Sequence, residues 1–246
     1  MRRYPSPYIS SYSFGPGGIS TAVKYLIAAN VGAFVLQFFF APVTEYLGLH
    51  PADVVGRFWI WQLGTYMFLH GGVFHIVFNM LALWMFGTEL ELRWGTRYFV
   101  KFYAVTGIGA GLLTVLFSLL PIAPAARLYM ANIIGASGAI FGLLIAYAIY
   151  FPERQIIYLV FPIPSRVFVA IVGGIALLSS FGDAGGVAAV THLGGLAIGY
   201  VYLKSARIHP VAEIKYRYLK WKINRVRKKF DVYSGGRAND YDRRIH

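Results

Sequence analysis

Ser137 stands in Gly135-Ala136-Ser137-Gly138 at the opening of an uncharged apolar run, and His192 stands in Thr191-His192-Leu193-Gly194-Gly195 within a second one. Polar side chains are costly in hydrocarbon, so those found in such runs are by default functional. A hydroxyl and an imidazole on separate membrane segments supply a nucleophile and the base that activates it. The chemistry such a pairing suggests is hydrolysis of a peptide bond inside a membrane, in which His192 would take the hydroxyl proton and return it to the leaving amine. Phe141, one helical turn after Ser137, is placed to stack on the imidazole. A third, acidic member is missing. Glu89, Glu91 and Glu153 lie toward the other ends of the segments, and Glu45, Asp53 and Asp183 lie in loops. The unit is therefore a Ser137–His192 dyad, and something other than a carboxylate must orient the imidazole.

A third polar cluster reads His70-Gly-Gly-Val-Phe-His75-Ile-Val-Phe-Asn79. His75 and Asn79, four apart, share a helix face and differ by only about 40° around the axis. An amide in an apolar run needs partners. Two uses fit: donation to a developing oxyanion, or hydrogen bonds to neighbouring helices with no chemistry. A metal site is not expected, because two histidines with no carboxylate near in sequence make a poor hydrolytic zinc site and no HExxH pattern exists. The chain has no cysteine, which excludes disulfides, thiolate ligands and a cysteine nucleophile. No cofactor is expected. Gly135 and Gly138 flank the serine, while Gly195 and Gly199 fall three and seven positions after the histidine, on its helical face. Small residues let membrane helices approach closely, as a serine within reach of a histidine on another helix requires.

The elements that must hold these residues are apolar segments. Hydrophobic residues make up 57% of the 246 and charged ones 13%, where a soluble domain carries about 25% charged. Six runs approach the roughly 20 residues needed to cross hydrocarbon: about 19–40, 73–90, 98–120, 133–150, 167–181 and 188–203. The stretch 155–164 is also apolar, but Pro162 and Pro164 suggest a loop or re-entrant piece. The first run does not read as a cleaved signal peptide, since no small-residue cleavage site follows it.

Charge sets the orientation. Arg2, Arg3 and Lys24 accompany the first run, Arg93, Arg97 and Lys101 lie between the second and third, and Arg154 and Arg166 lie between the fourth and fifth. From Lys204 onward 13 Lys or Arg face 4 Asp or Glu, which is +9 of the net +13. The alternate loops hold only Arg57 and Arg127. The positive-inside rule then puts both termini in the cytoplasm, which an even number of spans satisfies. The expected fold class is an all-α integral membrane bundle of six transmembrane helices, with Ser137 and His192 below the outer surface at similar depth.

Taken together, these segments resemble the rhomboid intramembrane serine proteases over about 61–200. The resemblance is carried by His70 with His75-Ile-Val-Phe-Asn79, by Gly87-Thr-Glu-Leu-Glu91-Leu-Arg-Trp94-Gly95, by Gly135-Ala-Ser137-Gly138-Ala-Ile-Phe141-Gly, and by His192-Leu-Gly-Gly195-Leu-Ala-Ile-Gly199. It implies a six-helix core over 19–203, preceded by a leader at 1–18. It assigns Ser137 as nucleophile and His192 as base. The oxyanion site would be the Ser137 backbone N–H with the His75 and Asn79 side chains. His70 would anchor a loop, and Glu91 would have a structural role at the cytoplasmic end of the second helix. Substrates of the family are single-span membrane proteins, cut in or near the transmembrane segment after sideways entry past the fifth helix and the loop at about 181–187. The chain departs from the family pattern at Gln62, where an arginine often follows the tryptophan, at Phe141, where some members carry tyrosine, and at Thr191, where alanine is frequent.

The tail, 204–246, reads as a basic cytoplasmic extension with an amphipathic helix at about 211–230. Leu219, Ile223, Val226 and Phe230 recur at helical spacing among Lys and Arg. Such a helix would bind the anionic inner leaflet; no nucleic-acid partner is expected, because the positive-inside bias already accounts for the charge. The expected setting is a bacterial cytoplasmic membrane. Two rival classes fit the residues less well. A catalytically inactive rhomboid-like protein that binds membrane clients usually lacks the serine or the histidine. A transporter would place ionisable groups near the midplane of several helices, and none are found.

Overall fold

A helix lies on each of the six apolar runs in the computed structural model, which describes residues 17–158, 161–180 and 186–207 together with Lys220, Trp221, Ile223 and Arg225. They are α1 (Thr21–Phe39), α2 (Val73–Trp94, with a π-helical turn at Leu83–Gly87), α3 (Thr96–Ser118), α4 (Ser137–Tyr150), α5 (Ser165–Ser179) and α6 (Gly186–Arg207). Among the described residues, α1, α2 and α3 are long and apolar enough to cross a membrane, while α4 and α5 are apolar but shorter. The chain divides into two compact units, Met1–Leu203 and Lys204–His246. The amphipathic helix expected at 211–230 lies almost wholly outside the described residues; Lys220, Trp221, Ile223 and Arg225 are helical, and the Arg225 guanidinium sits 5.1 Å over the Trp221 ring. Most of the leader and of the 181–187 loop likewise lies outside them.

The third helix is the central one. Its buried positions Phe99, Phe102, Tyr103, Thr106, Gly107, Ala110, Gly111, Thr114, Val115 and Ser118 recur every three or four residues, a stripe that packs on the rest of the bundle. The turn that delivers it is the single residue Gly95, at φ +79°, a conformation open to glycine at little cost.

A buried carboxylate ties this corner together. Glu91 accepts from the Ala22 and Val23 N–H groups at 2.9–3.1 Å and from the Ser20 and Thr96 hydroxyls at 2.5 and 2.7 Å. It thereby supplies acceptors to N–H groups of the first turn of α1, which have none within the helix. The negative charge also suits the positive end of the α1 dipole. Glu91 therefore fastens α1 to the α2–α3 turn.

The first loop after α1 is anchored by Gln62, which is fully buried. Its Nε2 donates to the Glu45 and Tyr46 carbonyls at 3.5 and 3.4 Å, and its Oε1 accepts from the His50 N–H at 3.0 Å. Where the sequence lacks the family's arginine, a neutral amide serves the main chain without burying a charge. Trp61 Nε1 also donates to the Tyr46 carbonyl, and Tyr46, Trp59 and Trp61 pack ring on ring at 5.1–5.5 Å.

Two expectations are revised. The stretch 155–164 is not a plain loop: Gln155–Tyr158 and Phe161–Pro164 form an antiparallel pair, β1 and β2, with Ile156 opposite Ile163 and Ile157 opposite Pro162. Proline is tolerated because a two-stranded ribbon is all edge, and its base is closed by Arg166 on Glu153 at 2.8 Å and by the Ser165 hydroxyl on the Phe151 carbonyl. The fourth helix starts at Ser137, not near Ile133. Ile133 is bridged to Leu49, and Gly135 at φ +127° turns the chain out of the extended path, its N–H donating to the Tyr66 carbonyl.

Replacing Glu91 by Ala leaves buried N–H groups unpaired, and each such loss costs about 1–3 kcal/mol. Glu91→Ala is expected to lower the melting temperature in detergent clearly, with Glu91→Gln, which keeps one acceptor, falling in between; circular dichroism melts check this.

Candidate active site

Because α4 begins at Ser137, the serine expected to act as nucleophile is the first residue of a helix, with its backbone N–H among those that have no intrahelical acceptor. That N–H and the helix dipole face the same side. Ser137 Oγ lies 2.8 Å from His192 Nε2, two turns into α6. Phe141 lies flat on the His192 ring, centroids 4.2 Å apart and planes 5° from parallel. Among the described residues no carboxylate bonds His192, and stacking holds the imidazole in plane instead. For Nε2 to receive the hydroxyl proton the neutral ring must carry its own proton on Nδ1.

This contact exists because α4 and α6 approach without side chains between them. A β-carbon on Gly195 would run into the Gly138 carbonyl and come within 3.3 Å of Phe141 Cβ, and one on Gly199 would stand 3.0 Å from Gly142 Cα. Gly138 is itself enclosed, its missing β-carbon 2.9 Å from the Tyr66 hydroxyl and 3.0 Å from Ala110 Cβ. Gly138 and Gly142 on α4 thus face Gly195 and Gly199 on α6. Thr191, buried beside the histidine, adds a polar tie. Its Oγ1 lies 2.9 Å from Thr114 Oγ1 on α3, and Thr114 donates to the Ala110 carbonyl at 2.8 Å. Since the Thr114 proton is engaged there, Thr191 is the donor between the two. An alanine at 191 would forgo this bond.

On the other side of Ser137 stands His75. A β-carbon on Gly135 would lie 2.8 Å from His75 Nε2 and 3.6 Å from Ser137 Oγ. The His75 ring and the serine therefore flank one small space, which only glycine leaves open. Asn79, 7% exposed, donates an amide N–H to the His75 carbonyl at 2.9 Å. His70 is buried, and its ring packs edge-on against His75 at 5.0 Å. Burial, with His75 adding to it, pushes the His70 imidazole down to about 4, so it is neutral near pH 7. The segment's anchoring runs through the His70 main chain, not its ring: Gln37 on α1 bonds both the N–H and the carbonyl. Among the described residues no three His, Asp or Glu side chains converge as a metal would need.

Gln37, Tyr66 and Thr114 do not stand out in the sequence, yet each holds part of the site. Tyr66 holds the segment before Ser137 by its carbonyl while its hydroxyl donates to the Gly107 carbonyl at 2.8 Å. The available signal is a polar side chain in an apolar stretch, the same one that marks Asn79.

An apolar helical bundle that sets a serine at a helix start against a stacked histidine defines a class of protein: membrane-embedded, with the groups of a serine hydrolase. Residues 57–206 match the Rhomboid domain, and the chain belongs to the rhomboid family and is an integral membrane protein. It is 35% identical over 139 residues to Rhomboid protein 1, mitochondrial, of Saccharomyces cerevisiae, covering 55% of this chain and 38% of that one. It is 26% identical over 155 residues to Rhomboid protease AarA of Providencia stuartii, covering 57% and 54%. To Rhomboid protease GluP of Bacillus subtilis it is 40% identical over 84 residues, covering 34% and 14%. The chain thus matches less than two thirds of the length of each of these relatives.

Helix approach makes a direct prediction. Gly195→Ala is expected to slow modification of Ser137 by a fluorophosphonate at least tenfold while the helical circular dichroism spectrum persists, since displacements near 1 Å at a reacting pair cost about 10²-fold. Gly32→Ala on α1, where a β-carbon meets nothing, is expected to leave the rate unchanged.

Proposed function

We propose that this chain is an intramembrane serine endopeptidase that cuts peptide bonds in or near the transmembrane segment of membrane-protein substrates. The observation that carries the reading is Ser137 Oγ at 2.8 Å from His192 Nε2 with Phe141 stacked on the imidazole. In this mechanism His192 Nε2 takes the Ser137 proton as Oγ attacks the scissile carbonyl carbon. The oxyanion that forms accepts from the Ser137 backbone N–H, His75 Nε2 and Asn79 Nδ2. His192 then protonates the leaving amine, and water, deprotonated by the same nitrogen, releases the acyl group. A site able to admit water must lie close to one surface of the bilayer. The 14 residues of α4 span about 21 Å, against roughly 30 Å of hydrocarbon, so a helix reaching the cytoplasmic face starts inside the membrane. That shortness supports a site below one surface of the bilayer, reached by a cavity open to that side; the charge asymmetry of the loops is what supports six spans with both termini cytoplasmic.

Substrates would enter between α5 and the loop at 181–187. The basic tail, 204–246, would rest on the anionic inner leaflet of what we read as a bacterial cytoplasmic membrane. A second reading, an inactive rhomboid-like protein that binds membrane clients, requires the dyad to be idle, and the serine–histidine contact argues for activity.

In proteoliposomes carrying a single-span reporter, Ser137→Ala and His192→Ala are each expected to lower turnover by at least about 10³-fold and to abolish fluorophosphonate labelling. A well-folded wild type that is neither labelled nor active would decide for the client-binding reading.

A further inference from the structure

The donor role of His75 depends on which of its nitrogens carries the proton, and the structure contains a device that decides it. The Gly71 backbone N–H points at His75 Nδ1, 3.3 Å away. A nitrogen that accepts cannot carry a proton, so the neutral ring must hold its hydrogen on Nε2. Nε2 is the atom that faces Gly135 and the space beside Ser137 Oγ. The direction of one peptide N–H thus makes His75 a donor toward the reacting centre.

The Gly71 peptide is held by its neighbour. Gln37, in the last turn of α1, accepts from the His70 N–H through Oε1 at 3.0 Å and donates from Nε2 to the His70 carbonyl at 3.3 Å. That carbonyl belongs to the same peptide unit as the Gly71 N–H, so a bond to the oxygen fixes the plane in which the hydrogen points. The same Nε2 donates to the Thr44 hydroxyl at 3.0 Å, which orients the amide from its far side. No other polar group in the α1 part of the bundle reaches this peptide among the described residues. Two glycines, Gly71 and Gly72, follow His70. Without a clamp the peptide is free to rotate, because glycine restricts its backbone least.

We propose that Gln37 is a positioning residue for catalysis: by clamping the His70 peptide it aims the Gly71 N–H at His75 Nδ1 and so keeps His75 in the Nε2–H tautomer that donates to the oxyanion. The proposal rests on the protease reading. It assigns to a side chain on α1, remote from the dyad, a role in the geometry of the transition state.

The test combines kinetics with a direct view of the tautomer. Gln37→Leu keeps the approximate shape and removes both hydrogen bonds to His70 along with the one to Thr44; Gln37→Glu keeps the acceptor for the His70 N–H and loses the donor to the carbonyl. A full oxyanion donor is worth about 10²–10³ in kcat. Misdirecting one is expected to lower kcat about tenfold in Gln37→Leu at unchanged KM, with Gln37→Glu between it and wild type. Solid-state ¹⁵N spectra of histidine-labelled protein in lipid, with the His75 signals assigned by their loss in His75→Ala, are expected to show the Nε2–H form alone in wild type and a mixture of tautomers in Gln37→Leu. If Gln37→Leu melts earlier yet keeps wild-type kcat and a single Nε2–H signal, Gln37 is only a brace and the proposal is overturned. Should Gln37→Leu fail to fold, the same two readouts are taken on Gln37→Glu, where wild-type kcat with a single Nε2–H signal overturns the proposal in the same way. A wild type with no turnover removes the protease reading, and the His75 spectrum still decides whether Gln37 sets the tautomer.

Discussion

Two helices meet here across glycine, and the Ser137–His192 pair depends on that contact. Gly195 and Gly199 on α6 lie so close to Gly138 and Gly142 on α4 that a methyl added to either α6 glycine would strike the α4 main chain. Without a hydrophobic driving force between helices in lipid, such packing is what holds them together. It also sets the scale of the chemistry. With the backbones this close, the short side chain of Ser137 reaches the imidazole of His192 at hydrogen-bond distance. Phe141 then needs only to lie on the ring, which removes the need for an orienting carboxylate whose burial would be costly.

Around this contact the buried polar side chains mostly serve the main chain. Glu91 supplies acceptors to the first turn of α1, Gln62 to the loop that follows it, Gln37 to the peptide at His70, and Asn79 donates to its own helix at His75. Glu91 and Gln37 thereby satisfy backbone groups at a helix start and in a non-helical segment, a requirement that is severe where water is scarce. The consequence for function is indirect but strict. The segments before Ser137 and before Val73 are both non-helical, and both are held by hydrogen bonds from elsewhere in the fold. The serine N–H and the His75 ring can therefore be aimed at one point.

Much of this is legible in the sequence. The six apolar runs fall on six helices, because hydrophobicity over a run of residues is a local property. Ser137, His192, Phe141, His75 and Asn79 stand out as polar or aromatic groups at helical spacings in apolar surroundings; the structure brings the first three together with the His75 ring nearby, and bonds Asn79 to the His75 carbonyl. Read from the sequence, α4 begins too early. Ile133 and Ile134 look like any other apolar helix residues, and only the bridge to Leu49 and the bond from Gly135 to Tyr66 keep them extended. The ribbon at 155–164 escapes the sequence for a related reason: two prolines argue against a strand in a sheet, but not in a pair of strands that has no interior.

By itself, then, the sequence determined the membrane character, the asymmetry of charge, and the types of group available for chemistry, since these follow from composition and from spacing along one segment. Only the tertiary structure decided the 2.8 Å contact between residues 55 apart, the exposure of the Ser137 N–H at a helix start, and the tautomer of His75. These are matters of direction and distance between segments remote in the chain. They are set by which glycines face each other and which carbonyl lacks a partner, and neither is a property of any stretch of sequence taken alone.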